Sequence, residues 1–205
     1  MKDLIDKIDE LKKTKVKKAI DSRIREFKKI KDGNKIFEEL CFCVLTANFN
    51  AEKSIKIQKE IGHGFYTLSE EALGKKLKEL GYRYPKVRAH YICENRKFKN
   101  SLKNILKSLN GEYLRKWLVK NIKGLGYKEA SHFLRNVGFD DFAIIDFHII
   151  DLLVKNKVIK RPKTLTRKEY LEIEQILRRI AWKTKLTLGE LDLYLWYIET
   201  GKVLK

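Results

Sequence analysis

The apolar residues of this chain recur at steps of three and four positions almost from end to end, which is the period of amphipathic α-helices. Leu4, Ile8 and Leu11 begin this spacing, and residues 20–27 repeat it. The only strand-like stretch, residues 142–146, is too short to build a sheet. The pattern therefore predicts an all-α protein.

Capping and turn residues predict where the helices begin and end. Residues 36–48 are almost continuously apolar and predict a buried central helix, Pro85 suits a helix start, and Asn110–Gly111 predicts a turn between helices. A threonine followed three positions later by a glutamate predicts a capping box. Three such pairs occur: Thr67 with Glu70, Thr166 with Glu169, and Thr187 with Glu190.

The charge balance is strongly positive. Among 205 residues, 46 Lys and Arg stand against 27 Asp and Glu, which gives a net charge of +19. An excess of this size predicts a polyanionic partner. Abundant Lys, Glu and Ile with only two Gln is also typical of heat-adapted proteins, so the charge has a second explanation that is compatible with the first.

The sequence indicates that this chain is neither a membrane protein nor a secreted one. No apolar run approaches the ~18 residues that span a bilayer, and the start of the chain lacks the hydrophobic core of a secretory signal. We therefore expect a cytoplasmic protein, and the composition described above is typical of a thermophilic source. Cys41, Cys43 and Cys93 form no closed disulfide set and lack the spacing of metal ligands, so no metal site is expected.

A glycine turn at residues 122–126, between two amphipathic segments, is the most informative motif. Gly124 and Gly126 let the backbone take positive φ angles and approach a ligand closely. The turn amides, together with the positive end of the following helix, predict an anion site suited to a DNA phosphate, with Lys123 as a further DNA contact. A plain helical hairpin with a glycine break is the alternative.

Lys128 and Asp146 are the candidate catalytic residues. Lys128 lies in the first turn of the second helix, where the helix dipole disfavours a cation and so favours a neutral, nucleophilic amine. A solvated surface lysine is the alternative. Asp146 precedes a helix-like segment, so it suits both an N-cap and a carboxylate that accepts a proton or stabilises a positive sugar-like transition state.

The stretch LVKNIKGLGYKEASHFLRNVG, followed by AIIDFHI, resembles the helix-hairpin-helix DNA glycosylase superfamily. The chain is most similar to the archaeal-type (second-class) 8-oxoguanine DNA glycosylase/AP lyases, and the similarity extends through GYRYPKVRA to ELDLYLWYIETGKVLK. The resemblance implies two helical lobes with a DNA cleft between them and a base flipped out of the duplex. We expect the motif at about 112–137, one lobe over about 30–150, and the other from 1–30 and 151–205.

The resemblance also implies a mechanism. Lys128 would attack the anomeric carbon of the damaged nucleoside, expel the base and form a Schiff base, and β-elimination would then nick the strand. Asp146 would activate the lysine. Gly124 and Gly126 would hold a phosphate, with a monovalent cation as an option. The cysteine pattern of iron–sulfur glycosylases is absent, so no cluster and no other cofactor is expected.

Five further residues acquire roles from the resemblance. Asn48 would fill the space left by the flipped base, and Arg83 and Tyr84 would insert near the orphaned base. The alternative for Asn48 is a turn or N-cap residue, and the alternative for Arg83 and Tyr84 is that they lie in an exposed loop. Trp196 would stack on the flipped base, unless it is a core residue. Lys205 would distinguish oxidised from normal guanine, unless the terminus is disordered.

One position departs from the family pattern, because Phe147 follows Asp146 where relatives usually carry a basic residue. If that basic residue contacts DNA, this chain would bind DNA more weakly.

The sequence thus predicts a monomeric, bifunctional glycosylase and AP lyase that excises 8-oxoguanine from duplex DNA. Two alternatives stay open: a non-catalytic helix-hairpin-helix DNA-binding module, and a glycosylase for another oxidised or mismatched base.

Overall fold

The computed structural model describes residues 1–205. It contains thirteen α-helices and no strand, so the predicted all-α class is confirmed. A 3₁₀ turn, Arg96–Phe98, follows the seventh helix. The helices are α1 (Lys2–Leu11), α2 (Lys15–Lys29), α3 (Gly33–Thr46), α4 (Ala51–Ile61), α5 (Gly64–Thr67), α6 (Glu70–Glu79), α7 (Pro85–Asn95), α8 (Leu102–Ser108), α9 (Gly111–Asn121), α10 (Tyr127–Asn136), α11 (Phe147–Lys155), α12 (Arg167–Thr184) and α13 (Leu188–Thr200).

The chain divides into two compact units. The central unit is the continuous segment Ile30–Phe133, and the terminal unit combines Met1–Lys29 with Leu134–Lys205. The break between them falls inside α10. The sequence placed the end of the central lobe near residue 150, whereas the structure assigns residues 134–150 to the terminal unit.

The reason lies in the strand-like residues 142–146, which are bound to α12 rather than to another strand. The Ala143 amide donates to Glu174 Oε2 at 3.1 Å, and the Tyr170 hydroxyl donates to the Ala143 carbonyl at 2.7 Å. The Ile145 amide donates to the same hydroxyl at 3.2 Å. Two side chains of α12 thus take the place of a sheet partner, which satisfies the backbone groups of this extended segment.

The central unit is built around α3, as predicted from residues 36–48. Asp32 caps the helix, because its Oδ1 accepts from the amides of Asn34 and Lys35 at 3.0 and 3.1 Å. Every residue of α3 from Ile36 onward is buried apart from Glu38, and the helix packs against α4, α7 and α8. Each fully buried large apolar side chain contributes about 1.5–3 kcal/mol, so α3 is a major source of this unit's stability.

The terminal unit joins the two ends of the chain. Helix α2 packs against α13, and α1 packs against α12. The buried Arg135 guanidinium pairs with buried Asp192 and lies 5.0 Å from the Phe27 ring. The Gly189 amide donates to the Asp140 carbonyl at 2.8 Å, and a Cβ on Gly189 would lie only 3.1 Å from Asp140 Cβ. A side chain at position 189 would therefore push these segments apart.

Two of the three predicted capping boxes are confirmed, at Thr166 and Thr187. The hydrogen bonds from Thr166 lower the pKa of the Glu169 carboxyl. The box predicted at Thr67 is wrong. Residues 64–67 form the extra helical turn α5, in which the Thr67 hydroxyl donates back to His63 O, and Ser69 Oγ caps α6 by accepting from the Ala72 amide.

Candidate functional site

The glycine turn joins α9 to α10, and a buried arginine holds these two helices together. Arg115, 1% exposed, donates to Glu112 Oε2 at 3.0 and 2.6 Å and to Ser131 Oγ at 3.1 Å. The Tyr127 hydroxyl donates to Glu112 Oε1 at 2.9 Å, and the guanidinium lies 5.1 Å from the Tyr127 ring. Sequence reasoning missed Arg115, although its position beside Leu114 and within the apolar spacing of α9 was a signal.

The turn itself is held by α7. The Lys123 amide donates to Asn95 Oδ1 at 2.9 Å, and Asn95 Nδ2 donates back to the Lys123 carbonyl at 3.0 Å. Gly124 has φ +85°, and a Cβ there would lie 2.8 Å from Tyr91 Cδ2. The positive φ predicted for a glycine is therefore found at position 124, and the Tyr91 ring is a second reason for glycine that was not predicted. The Lys123 side chain remains exposed.

Gly126 differs from Gly124. Its φ is not positive, so the positive φ predicted for this position is wrong. Its amide donates to Glu129 Oε2 at 3.2 Å, and this is one of the amides that the turn was predicted to offer to a phosphate. A Cβ at position 126 would lie 3.2 Å from the same carboxylate oxygen, so glycine leaves room for this contact.

Lys128 lies in the first turn of α10, as predicted. Its side chain is 21% exposed, so it is more enclosed than a fully solvated surface lysine. The ammonium Nζ lies 3.8 Å from Glu129 Oε1. Glu129 thus contacts both the Gly126 amide and the candidate nucleophile, a connection that sequence reasoning did not find.

Asp146 is the N-cap of α11, where its Oδ1 accepts from the Ile149 amide at 3.0 Å. The second carboxylate oxygen makes no hydrogen bond and is available to a ligand. The residue after it, Phe147, is 65% exposed, and its ring lies 4.0 Å from the His148 ring. An exposed aromatic side chain therefore stands beside the Asp146 carboxylate.

Trp196 belongs to α13 and lies close to the start of α11. The His148 ring meets the indole edge to face, with centroids 5.1 Å apart and planes at 85°. The residue is half-buried, and its Nε1–H is buried without a hydrogen-bond partner. A buried donor without a partner is uncommon and marks a position where a ligand acceptor would be favourable.

Asn48 follows α3 as an exposed residue with φ +57°, a conformation that asparagine tolerates better than most residues. It is a turn residue and not an N-cap, because Asn50 caps α4 by accepting from the Lys53 amide at 3.0 Å.

Arg83 and Tyr84 are exposed in the loop before α7, with the Arg83 guanidinium 4.9 Å from the Tyr84 ring. Their neighbour Tyr82 ties this loop to the segment around Asn48. Its hydroxyl donates to the Leu45 carbonyl at 2.7 Å, and its ring lies 4.4 Å from that of Phe49. Burial raises the pKa of the Tyr82 phenol, an effect that Arg88 opposes, so the hydroxyl remains a donor.

Lys205, beyond the end of α13, is half-buried in the terminal unit. The predicted site residues thus fall into two groups, one in each unit. The central unit carries Lys123, Gly124, Gly126, Lys128, Asn48, Arg83 and Tyr84, and the terminal unit carries Asp146, Trp196 and Lys205.

No group of three or more His, Cys, Asp or Glu side chains is arranged to hold a metal ion. Cys41 and Cys43 are buried and Cys93 is half-buried, and all three are free thiols. Burial raises the pKa of the Cys41 and Cys93 thiols. None of the helices combines the length and apolar character required to cross a membrane.

The comparisons with known proteins point to one family. The model of the Ogg-HhH family, described as 8-oxoguanine DNA glycosylase, matches residues 20–186. The 8-oxoguanine DNA glycosylase/AP lyase of Methanocaldococcus jannaschii is 59% identical over 206 residues, covering 98% of this chain and 99% of the relative. That of Korarchaeum cryptofilum is 54% identical over 205 residues, covering 99% and 98%.

Solved structures show the same fold. The Methanocaldococcus jannaschii 8-oxoguanine glycosylase/lyase in complex with 15mer DNA containing 8-oxoguanine superposes with a TM-score of 0.95 at 58% identity, covering 98% of this chain and 99% of that one. The 8-oxoguanine DNA glycosylase of Thermotoga maritima superposes with a TM-score of 0.94 at 44% identity, covering 100% and 99%.

Proposed function

Because this chain belongs to the 8-oxoguanine DNA glycosylase family, we propose that it is a bifunctional glycosylase and AP lyase that removes 8-oxoguanine from duplex DNA. The observation that carries the proposal is the similarity, over nearly the full length, to an enzyme solved with DNA containing that lesion. The net charge of +19 suits this polyanionic substrate. We further propose that the protein acts as a monomer at the nucleoid in the cytoplasm.

Lys128 is the proposed nucleophile. Its neutral Nζ attacks C1′ of the damaged nucleoside, the bond from C1′ to the base breaks, and the base leaves with a proton. Loss of the sugar ring bond gives a Schiff base between Nζ and C1′. Removal of a C2′ proton then expels the 3′ phosphate and nicks the strand. The position of Lys128 in the first turn of α10 supports this role, because the helix dipole opposes a positive charge there.

Asp146 is the proposed partner of the nucleophile. Its carboxylate takes the proton that Lys128 must lose and stabilises the positive charge that develops on the sugar. The cap on the Ile149 amide supports this role, because it fixes the carboxylate through Oδ1 and leaves Oδ2 for the reaction.

Base recognition is assigned to Trp196 and Lys205. The half-buried indole suits stacking on a flipped base, and its unpartnered Nε1–H would gain an acceptor from a ligand. Lys205 would read the altered hydrogen-bonding edge of the oxidised guanine. Arg83, Tyr84 and Asn48 would occupy the duplex where the base has left, which their exposure in two adjoining loops supports.

Phosphate binding is assigned to the turn at Gly124 and Gly126, with Lys123 beside it. A monovalent cation at this turn would be held by backbone carbonyls. The Ile122 and Lys123 carbonyls each accept one hydrogen bond, from the Leu125 amide at 3.4 Å and from Asn95 Nδ2 at 3.0 Å. Each retains a second lone pair, so the turn fits such an ion, which would add positive charge facing the phosphate.

Borohydride trapping of a Schiff base on a duplex containing 8-oxoguanine tests the mechanism. The wild type should form a covalent adduct, and Lys128→Gln should form none. Lys120→Gln, which removes the same charge from α9, is the control and should still be trapped. Asp146→Asn keeps an N-capping side chain, so its fold should be retained while trapping slows by about 100-fold or more.

Other outcomes separate the alternatives. A wild-type protein that binds the duplex without forming an adduct would be a non-catalytic binding module. A preference for thymine glycol or mismatched adenine in a panel of duplexes would identify another lesion as the substrate. Removal of Lys205 should reduce the rate on 8-oxoguanine more than the rate on an abasic site, since an abasic site offers no base to recognise.

A further inference from the structure

Glu129 occupies the amide that a bound phosphate would use. Its Oε2 accepts from the Gly126 N–H at 3.2 Å, and its Oε1 lies 3.8 Å from Lys128 Nζ. The carboxylate is only 16% exposed, so it is enclosed at the start of α10. It is the one side chain that contacts both the phosphate-binding turn and the proposed nucleophile.

We propose that Glu129 is an internal competitor for the DNA phosphate, and that binding of the phosphate displaces its carboxylate from the Gly126 amide and from Lys128. The inference rests on the proposed function, since it presumes that the turn receives a phosphate. Glu129 is a positioning residue in this scheme. It bonds to nothing in the substrate and acts by where its charge lies before and after DNA binds.

Charge and geometry both support the competition. An N–H group has one hydrogen to donate, so the Gly126 amide cannot serve the carboxylate and a phosphate oxygen at full strength together. The positive helix end attracts both anions to the same place, where they repel each other because they carry like charges at short distance. The phosphate must therefore move Glu129, and the movement takes away the carboxylate that neighbours the Lys128 ammonium.

This arrangement makes the state of Lys128 depend on whether bound DNA places a phosphate in the turn. Before DNA binds, the Lys128 ammonium lies beside the Glu129 carboxylate, and the same carboxylate accepts from the Gly126 amide of the turn. Undamaged DNA that does not seat a phosphate in the turn leaves both contacts intact. A phosphate that is fully seated releases the nucleophile, so DNA binding and nucleophile release are coupled through one side chain.

Glu129→Gln is the informative variant because it separates charge from capping. Glutamine is as suitable as glutamate at the third position of a helix, where its amide oxygen still accepts from the Gly126 N–H. Glu169→Gln is the matched control. It makes the same change at the same position of the confirmed capping box of α12, and it changes the net charge by the same amount.

The test measures fluorescence anisotropy with a duplex carrying a tetrahydrofuran abasic analogue, which binds without reacting. We expect Glu129→Gln to lower Kd by about three- to tenfold relative to Glu169→Gln, because an anion beside the phosphate is removed. In trapping on the 8-oxoguanine duplex, Glu129→Gln should lower the DNA concentration that gives the half-maximal rate and should not raise the maximal rate. Thermal unfolding verifies that both variants are folded.

Two results would overturn the inference. Equal Kd values for Glu129→Gln and Glu169→Gln, with an active wild type, would show that Glu129 does not compete with phosphate. A maximal trapping rate that falls tenfold or more would instead make Glu129 the group that deprotonates Lys128. A wild type that neither binds nor traps DNA would contradict the proposed function itself, which distinguishes that failure from these two.

Discussion

At the scale of the residue, Gly124 is constrained in two independent ways. Its φ of +85° disfavours any side chain, and the Tyr91 ring leaves no room for one. Gly81 has a similar φ of +73° with open space around it. Comparing the two positions separates the cost of backbone angle from the cost of crowding at the glycine turn.

We predict that Gly124→Ala lowers the free energy of unfolding by about 2–4 kcal/mol, because backbone strain and a steric clash add. Gly81→Ala should cost about 1–2 kcal/mol, from backbone strain alone. Urea denaturation measures both values, and anisotropy should show weaker duplex binding for Gly124→Ala only. Equal destabilisation of the two variants would mean that Tyr91 moves aside without cost.

Individual residues also show what a sequence can and cannot reveal. The predictions for Lys128 and Asp146 rest on the electrostatic setting that a helix start gives a charged side chain, and both residues do lie at helix starts. The clamp of Asn95 on Lys123 was not found, because it joins residues 28 positions apart and leaves no local pattern. The contact of Glu129 with Gly126 was within reach, since a glutamate three positions after a helix cap is a known capping arrangement.

At the scale of the element, the two helices flanking the glycine turn depend on a buried charge. Arg115 satisfies Glu112 and Ser131 and covers the Tyr127 ring, so it links α9 to α10 through side chains. Without Arg115, the Glu112 carboxylate keeps the Tyr127 hydroxyl as a donor but loses its neighbouring cation, so its burial is only partly compensated.

Arg115→Met should therefore lower the free energy of unfolding by about 1–3 kcal/mol, because charge-assisted hydrogen bonds are lost while the Glu112 carboxylate stays partly solvated. Arg23→Met is the matched control, because Arg23 pairs with Glu26 at the same three-residue spacing on a more exposed surface. It should cost less than about 1 kcal/mol. Chemical denaturation of both variants makes the comparison, and a loss below 1 kcal/mol for Arg115→Met would show that the hairpin is held mainly by apolar packing.

Helices were the most predictable elements. The apolar spacing and the caps at Thr166 and Thr187 located α3, α12 and α13 correctly, since these signals are local. The short helix α5 was missed because four residues are too few for a periodic pattern, and its presence shifted the cap of α6 from Thr67 to Ser69. The extended segment before Asp146 depends on distant side chains of α12, which no local signal predicts.

At the scale of the whole molecule, we expect the net charge of +19 to govern the association with DNA. Each phosphate neutralised by a protein cation releases counterions, so affinity depends on salt concentration. We predict that duplex affinity falls by about 10³–10⁵ between 50 and 200 mM salt, as for proteins that contact about 6–10 phosphates. Anisotropy titrations over this range give the slope.

The duplex with the abasic analogue and an undamaged duplex should show similar slopes, because both present the same phosphates. The difference between them should lie in affinity at any one salt concentration, which reports the extra contacts at the flipped position. A shallow slope for both duplexes would mean that the positive charge reflects heat adaptation and not phosphate contact.

The division of the chain has a consequence for biosynthesis. The first 29 residues leave the ribosome early, but the helices that cover their apolar side chains follow only after Phe133. Leu4, Ile8 and Phe27 are therefore without these partners throughout the synthesis of residues 30–133. Nascent chains halted near residue 133 should consequently bind chaperones through their first two helices, and completion of the final helix should release them.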